Sequence, residues 1–324
     1  MKRFSTGIKI IVTALLLFFV FRSVDISKIR HDLGSLDAGR LMIFVFAFWI
    51  GQVLCSQRWR LLAGSLNMRA PYFRFVQMYS VGTFFNIGLP SLVGGDVVKA
   101  YMLSRENSRP LQFGLASVLQ DRATGMISLF VYGTAASLLL PLSWRGIPFW
   151  FLYACIWLGI FAAVYLIWKG DRIFPKLLPP LISSSLHKIR GPLVDFRKSL
   201  VTAHLPGKAI LQIAAWSLLN SALVLWMFQQ LSAAAQHPVD LVAFSVLYPL
   251  ISLITMLPIS LGGLGIREWA YVEALSLVGI PRSGALLIAL TTSALIILCS
   301  LTAALLILTL PGKAKLRNHA RTQN

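Results

Sequence analysis

The chain has 324 residues, 57% of them hydrophobic and only 13% charged, with a mean hydropathy of +0.74. That is too apolar for a water-soluble chain of this length, so soluble folds are excluded. The net charge of +19 resembles a nucleic-acid signal, but the Lys and Arg residues cluster between apolar runs, where they report membrane topology. No nucleic-acid partner is expected.

Apolar runs at residues 8–21, 41–57, 123–142, 147–168, 209–231, 240–257 and 284–310 each approach the span of a bilayer core. The first follows Met1, Lys2 and Arg3, and no small-x-small cleavage pattern closes it before Arg22, which predicts an uncleaved signal anchor. Basic residues at the N-terminus, at Arg58, Arg60, Arg69 and Arg74, in the linker 169–208, and at Lys313, Lys315, Arg317 and Arg321 mark cytoplasmic segments. The connection 232–239 lacks Lys and Arg, and 141–147 holds only Arg145, so these face outward. The loop 22–40, with Arg22, Lys28, Arg30 and Arg40, runs against that pattern. Both termini are expected in the cytoplasm, and the chain is expected to be a multi-pass protein of the bacterial inner membrane.

These runs predict an all-α fold: a polytopic membrane helical bundle of about seven to nine spans, forming one integral membrane domain over 1–324. Its first half covers 1–168 and its second 209–310, and a basic tail occupies 311–324. Between the halves, the linker 169–208 combines basic residues with Pro175, Pro179, Pro180 and Pro192, which argues against one straight helix and against a further span. With both ends inside, the stretches near 73–103 and 240–280 must each leave and return on one side; either a re-entrant hairpin or a pair of spans fits.

Those two stretches carry the same pattern. Leu89-Pro90-Ser91-Leu92-Val93-Gly94-Gly95 leads to Lys99, and Leu257-Pro258-Ile259-Ser260-Leu261-Gly262-Gly263 leads through Gly265 to Arg267; both read L-P-x-x-x-G-G-x-x-x-[KR]. Proline removes a backbone donor and paired glycines weaken helix continuity, so each copy should be a helix that stops, turns and restarts. Irregular backbone survives at membrane depth only where protein or a polar cavity covers it. Two matched breaks entered from opposite faces are the expectation for an inverted repeat with a site between its halves. Each restarted helix offers unpaired N–H groups and a positive dipole end, which suit a phosphate.

Asp96 and Lys99, three apart, share a helix face and can pair. Asp121 and Arg122 interrupt an apolar run, and Arg267, Glu268 and Glu273 follow the second break. A charge at the bilayer centre costs at least about 2.5 kcal/mol, so these groups should face a polar interior. Lys99 and Arg267, with Arg122 as a third, are the expected phosphate partners, while Glu273 and Arg282 read as structural or interfacial. Asn86, just before Pro90, is placed to cap or bind a freed backbone group. Cys55, Cys155 and Cys299 lie in apolar runs without metal-type spacing and read as packing residues; no metal or cofactor is expected.

Asn86, Leu89-Pro90, Gly94-Gly95-Asp96, Lys99, Asp121-Arg122 with Gly125, Pro258, Gly262-Gly263, Gly265 and Glu268 together make the chain resemble the flippase-like family named after the transmembrane region of lysylphosphatidylglycerol synthase. It departs from the family's usual G-G-D-x-x-R and E-R-x-x-G at Lys99 and Asp121, which keep the charge but lose the bidentate grip of an Arg at the first. The resemblance implies movement of a lipid or lipid-linked headgroup, either an anionic phospholipid or a lipid-linked saccharide, between leaflets. Family members that transfer aminoacyl groups carry a large soluble domain after the membrane part; this sequence ends at Asn324, so no enzymatic activity is expected. Two other classes compete: a membrane glycosyltransferase or other lipid-modifying enzyme, which needs paired carboxylates near an interface, and a non-transporting subunit of an envelope-lipid or polysaccharide assembly.

Overall fold

The computed structural model of the protein describes residues 34–88, 94–177, 206–256 and 265–304. The run 8–21, most of the linker, the tail, and Pro90, Pro258, Gly262 and Gly263 lie outside the described residues. The described part is an all-α bundle with one two-stranded hairpin. Its helices are α1 (Ala38–Ser65), α2 (Tyr72–Gly88), α3 (Gly94–Glu106), α4 (Leu111–Leu139), α5 (Phe149–Leu177), α6 (Gly207–Ala234), α7 (Leu241–Met256), α8 (Ile266–Ser276) and α9 (Arg282–Ala304). Strands β1 (Ser143–Trp144) and β2 (Ile147–Pro148) join α4 to α5.

Among the described residues, α1, α6, Phe149–Leu166 of α5 and Arg282–Ala303 of α9 are long and apolar enough to cross a membrane. At 28 residues α1 extends about 42 Å, more than a hydrocarbon core needs. Its start is set by Asp37, whose Oδ1 accepts the N–H groups of Gly39 and Arg40 at 2.9 and 3.2 Å, which satisfies two first-turn donors. It then runs unbroken through Arg58 and Arg60, which therefore belong to the helix and not to the loop that residue counting assigned them. Similarly, α5 continues past 168 to Leu177, into the first part of the basic linker.

Most of each proline-glycine stretch, 89–93 and 257–264, lies outside the described residues, while Gly94 and Gly95 of the first belong to the start of α3. α2 stops at Gly88 and α3 begins at Gly94; α7 stops at Met256 and α8 begins at Ile266. At 17, 13, 16 and 11 residues these four helices extend about 16–26 Å, each short of a full crossing. α2 and α3 lie side by side and antiparallel. Arg74 at the start of α2 pairs with Glu106 at the end of α3 at 3.0 Å, and Asn86 near the end of α2 accepts the N–H of Gly95 at 2.9 Å. Close approach is possible because Gly82 and Gly95 face each other: a Cβ on Gly95 would collide with the Gly82 carbonyl oxygen.

α4 sits at the middle, packed against α1, α3, α5, α6 and α7. Two apolar cores form around it. The larger joins Phe44 of α1, Phe130 of α4 and Tyr153 of α5 to Phe228, Phe244 and Tyr271 and to the buried face of α9. The smaller joins Trp59 of α1 to Phe75, Met78, Leu103 and Val118. On both α1 and α4 the buried residues that separate these cores are polar or charged, Gln52, Ser56 and Arg58 on the one and Asp121 and Ser128 on the other, and that layer is the candidate site.

Candidate functional site

Helical periodicity brings polar side chains from several elements to one level. Cys55 and Arg58 are three apart on α1; Tyr79, Thr83 and Asn86 are four and three apart on α2; Asp121 and Gly125 are four apart on α4. Such spacings share a face. Together with Lys99, Arg122, Asn220, Ser221 and Met256 they line a cavity of about 290 Å³.

Two ion-pair systems hold this layer. The first centres on Asp96, whose Oδ1 lies 3.1 Å from Lys99 Nζ and whose Oδ2 accepts a hydrogen bond from Arg122 Nε at 2.8 Å. Lys99 is buried, with its ammonium 4.0 Å from the centre of the Tyr79 ring and 5.4 Å from that of Trp59. Both rings present the negative face that attracts a cation. The second system centres on Asp121, which is wholly buried: Oδ1 accepts from Arg58 Nε at 2.8 Å and Oδ2 from the Tyr79 hydroxyl at 3.2 Å. Tyr79 thus joins the two systems. Gly125 makes room for the Arg58 guanidinium, since a Cβ there would stand 3.2–3.3 Å from both terminal nitrogens.

These contacts account for much of the charge the sequence set at membrane depth. Buried ions survive when paired and hydrogen-bonded, and Asp96 with Lys99 is the pair that i, i+3 spacing predicts. Asn86 acts on freed backbone: it satisfies the Gly95 N–H, a first-turn donor of α3 that no α3 carbonyl can reach. Arg122 keeps about a third of its side chain exposed (34%) and is the most open of the three cations.

Arg267 and Glu268 do not line this cavity. They form a second network at the start of α8, where Gly265 takes a φ of +81°, a conformation that favours glycine. Glu268 is buried and accepts the Gly265 N–H at 2.6 Å and the Ser293 hydroxyl at 3.2 Å, while Arg267 Nη1 donates to Ser293 Oγ at 3.2 Å. Both breaks therefore have a carboxylate or amide satisfying the restarted helix and a basic residue nearby. The structure draws Asn86, Gly94, Gly95, Asp96, Lys99, Asp121 and Arg122 into one place and Gly265, Arg267 and Glu268 into another. Glu273 and Arg282 pair with each other at 3.3 Å on the exposed surface.

Arg58, Tyr79, Thr83, Asn220 and Ser221 are site residues that sequence reasoning missed. Arg58 follows directly on the apolar run 41–57 and precedes Arg60, so it reads as a cytoplasmic loop charge. The available signal was the absence of any helix breaker between Arg58 and Gly64, which lets α1 carry Arg58 inside the bundle.

The geometry coincides with a family relationship. The sequence profile of the lysylphosphatidylglycerol synthase TM region matches residues 7–308. The chain belongs to this family. A UPF0104 membrane protein of Methanocaldococcus jannaschii is 27% identical over 213 residues, which covers 62% of this chain and 83% of that protein. No solved structure matches the chain. Family membership and the apolar helices together make this a membrane protein with a lipid-related role.

Proposed function

We propose that this family member translocates a phosphate-bearing lipid, or a lipid-linked headgroup, between the leaflets of the bacterial inner membrane, with both termini in the cytoplasm. The observation that carries the reading is the cavity beside the first helix break, into which Arg58, Lys99 and Arg122 project at the level between two apolar cores. A lipid phosphate that crosses a bilayer needs cations and polar contacts partway, because it would otherwise lose its hydration without replacement.

Alternation between leaflets is supported by the order of the helices. A long helix, a short one, a break, a short one and a long one occur as α1 to α4 and again as α6 to α9. The leading helices of these two sets, α1 and α6, pack antiparallel: Asp37 N–H donates to Ala234 O at 3.1 Å, and Arg40 Nη1 to Gln230 Oε1 at 2.9 Å. Halfway along, a Cβ on Gly51 would meet Asn220 Oδ1. When Pro90 is matched to Pro258, Asn220 is the counterpart of Gln52, so the crossing falls where equivalent residues meet. Equivalent helices that meet antiparallel at equivalent positions are the arrangement of an inverted-topology repeat, and rocking one half against the other exposes the site to each face in turn.

The enzymatic alternative requires carboxylates free to act on substrate. Asp96 and Asp121 are each engaged by basic side chains, which favours binding over general acid–base work. The test is reconstitution of the full chain into liposomes containing lipids with a fluorophore on the headgroup side, followed by membrane-impermeant quenching of the outer leaflet. Translocation beyond the protected half in protein-containing vesicles, lost on Arg122→Gln, is the expected result. Protection equal to that of empty liposomes with every phosphate-bearing lipid tried would end the transport reading.

A further inference from the structure

We propose that the end of the bundle where α1 and α3 stop and α2 and α4 begin is a docking surface for the anionic headgroups of the adjoining leaflet, cytoplasmic in the proposed orientation, held by Arg60, Arg69, Arg105 and Arg109. None of these residues lines the cavity, and the surface acts whether or not the chain moves lipid.

Five arginines, Arg60, Arg69, Arg74, Arg105 and Arg109, meet a single carboxylate at this end, Glu106. Arg74 takes that carboxylate at 3.0 Å. None of the other four is in an ion pair among the described residues, so five positive charges less one negative leave four. The opposite end has no such excess: among the described residues, Asp37, Asp240 and Glu273 there balance Arg40, Arg145 and Arg282. The two connections that carry the patch are fixed to one another, because Asn107 Oδ1 accepts the N–H of Arg69 at 2.7 Å. Their charges are therefore held together and do not lie on independent loops.

The bias of Lys and Arg toward the cytoplasmic side accounts for the sign of this charge but not for its seating. Arg60 lies over the Tyr72 ring at 5.6 Å, Arg105 over Tyr101 at 5.6 Å and Arg109 over Phe113 at 5.1 Å from the centroid. A guanidinium stacked on a ring is already ordered, and its N–H edge remains free to grip an anionic oxygen. Phe73, Tyr101 and Leu111 are exposed at the same end. Cations with exposed aromatic and apolar side chains match the headgroup level of a bilayer, where rings and long basic chains sit half in each phase, and not the water-facing surface that an acidic protein would meet. The depth agrees. From Asp121 at the cavity back to Leu111, the first residue of α4, is about 15 Å along the helix, half of a hydrocarbon core about 30 Å thick. A cavity near the midplane thus puts the arginines among the headgroups.

The experiment places the purified full-length protein in vesicles of dioleoyl phosphatidylcholine with a minor share of dioleoyl phosphatidylglycerol, extracts it in mild neutral detergent, and counts by mass spectrometry both lipids retained per chain. Each basic group at an anionic surface strengthens attachment about fivefold, so the wild type should enrich phosphatidylglycerol by about tenfold or more over its share of the vesicle. Raising the salt from about 0.05 to 0.5 M should remove most of that enrichment, because exposed charges are screened. The triple variant Arg60→Gln, Arg105→Gln, Arg109→Gln should return to near the vesicle ratio, and the corresponding triple exchange to Lys should recover most of the enrichment. Arg122→Gln, in the cavity, should keep it. Enrichment unchanged in the triple Gln variant overturns the inference. So does enrichment in the wild type that salt leaves unchanged, a reading that needs no variant to fold. Enrichment lost in Arg122→Gln and kept in the triple variant assigns the lipid to the cavity and overturns it too. Displacement of phosphatidylglycerol by inorganic phosphate, beyond that by chloride at equal ionic strength, would make a free anion the ligand and overturn the lipid surface.

Discussion

Replacing Gly95 by alanine tests the claim that the break is a tightly closed helical hairpin. The new Cβ would collide with the Gly82 carbonyl oxygen and lie 2.7 Å from both Asn86 Oδ1 and the Gly82 carbonyl carbon. Ordinary contact begins near 3.4 Å, so α2 and α3 must separate by about 0.7 Å or more against backbone that cannot rotate away. Overpacking of this kind costs about 1–3 kcal/mol. The separation also stretches the Asn86–Gly95 hydrogen bond and shifts Asp96 and Lys99 away from Arg122. Gly64→Ala is the control: nothing stands within 4 Å of its Cβ, and in the last turn of α1 the exchange should stabilise by up to about 0.5 kcal/mol through helix propensity. Thermal unfolding of both variants in one detergent should give shifts of opposite sign, with lipid translocation reduced only in Gly95→Ala. Equal midpoints would refute the hairpin packing.

Asn86→Ala should lower stability by about 1 kcal/mol by leaving the Gly95 N–H without its acceptor; Asn86→Asp, which keeps an acceptor, should recover most of it in the same unfolding assay. Asp96→Ala removes the shared partner of Lys99 and Arg122 and should cost about 3–5 kcal/mol, seen as loss of the monodisperse peak on detergent gel filtration; adding Lys99→Met should restore part of that peak. Glu273→Gln, at an ion pair 37–50% exposed, should change the unfolding midpoint by no more than about 0.5 kcal/mol; an effect as large as that of Asp96→Ala would mean that the ranking by burial is wrong.

Much of the architecture is legible in the sequence because lipid leaves so few choices. Runs of apolar residues must be helices, since no other backbone conformation satisfies its own polar groups in hydrocarbon. The runs 41–57, 209–231 and 284–310 appear within α1, α6 and along α9. The described helices α2 and α3 end and begin on either side of 89–93, and α7 and α8 on either side of 257–264, the stretches that hold Pro90 and Pro258. The pairing of Asp96 with Lys99 follows from one turn of helix. The partner of Asp121 did not follow, because Arg58 is 63 positions away along the chain and nothing local distinguishes it from the loop arginines nearby.

The sequence alone determined that the chain is a membrane bundle and which charges interrupt its apolar runs, since each is a matter of composition or of neighbours within a turn. Only the tertiary structure decided which cations share a cavity. Lys99 and Arg122 converge on Asp96, Arg58 enters from α1, and Arg267 turns instead to Ser293. The physical reason is that side-chain convergence depends on which faces of distant helices meet, and here those faces are set by close approaches such as Gly82 against Gly95 and by two apolar cores that leave a polar layer between them.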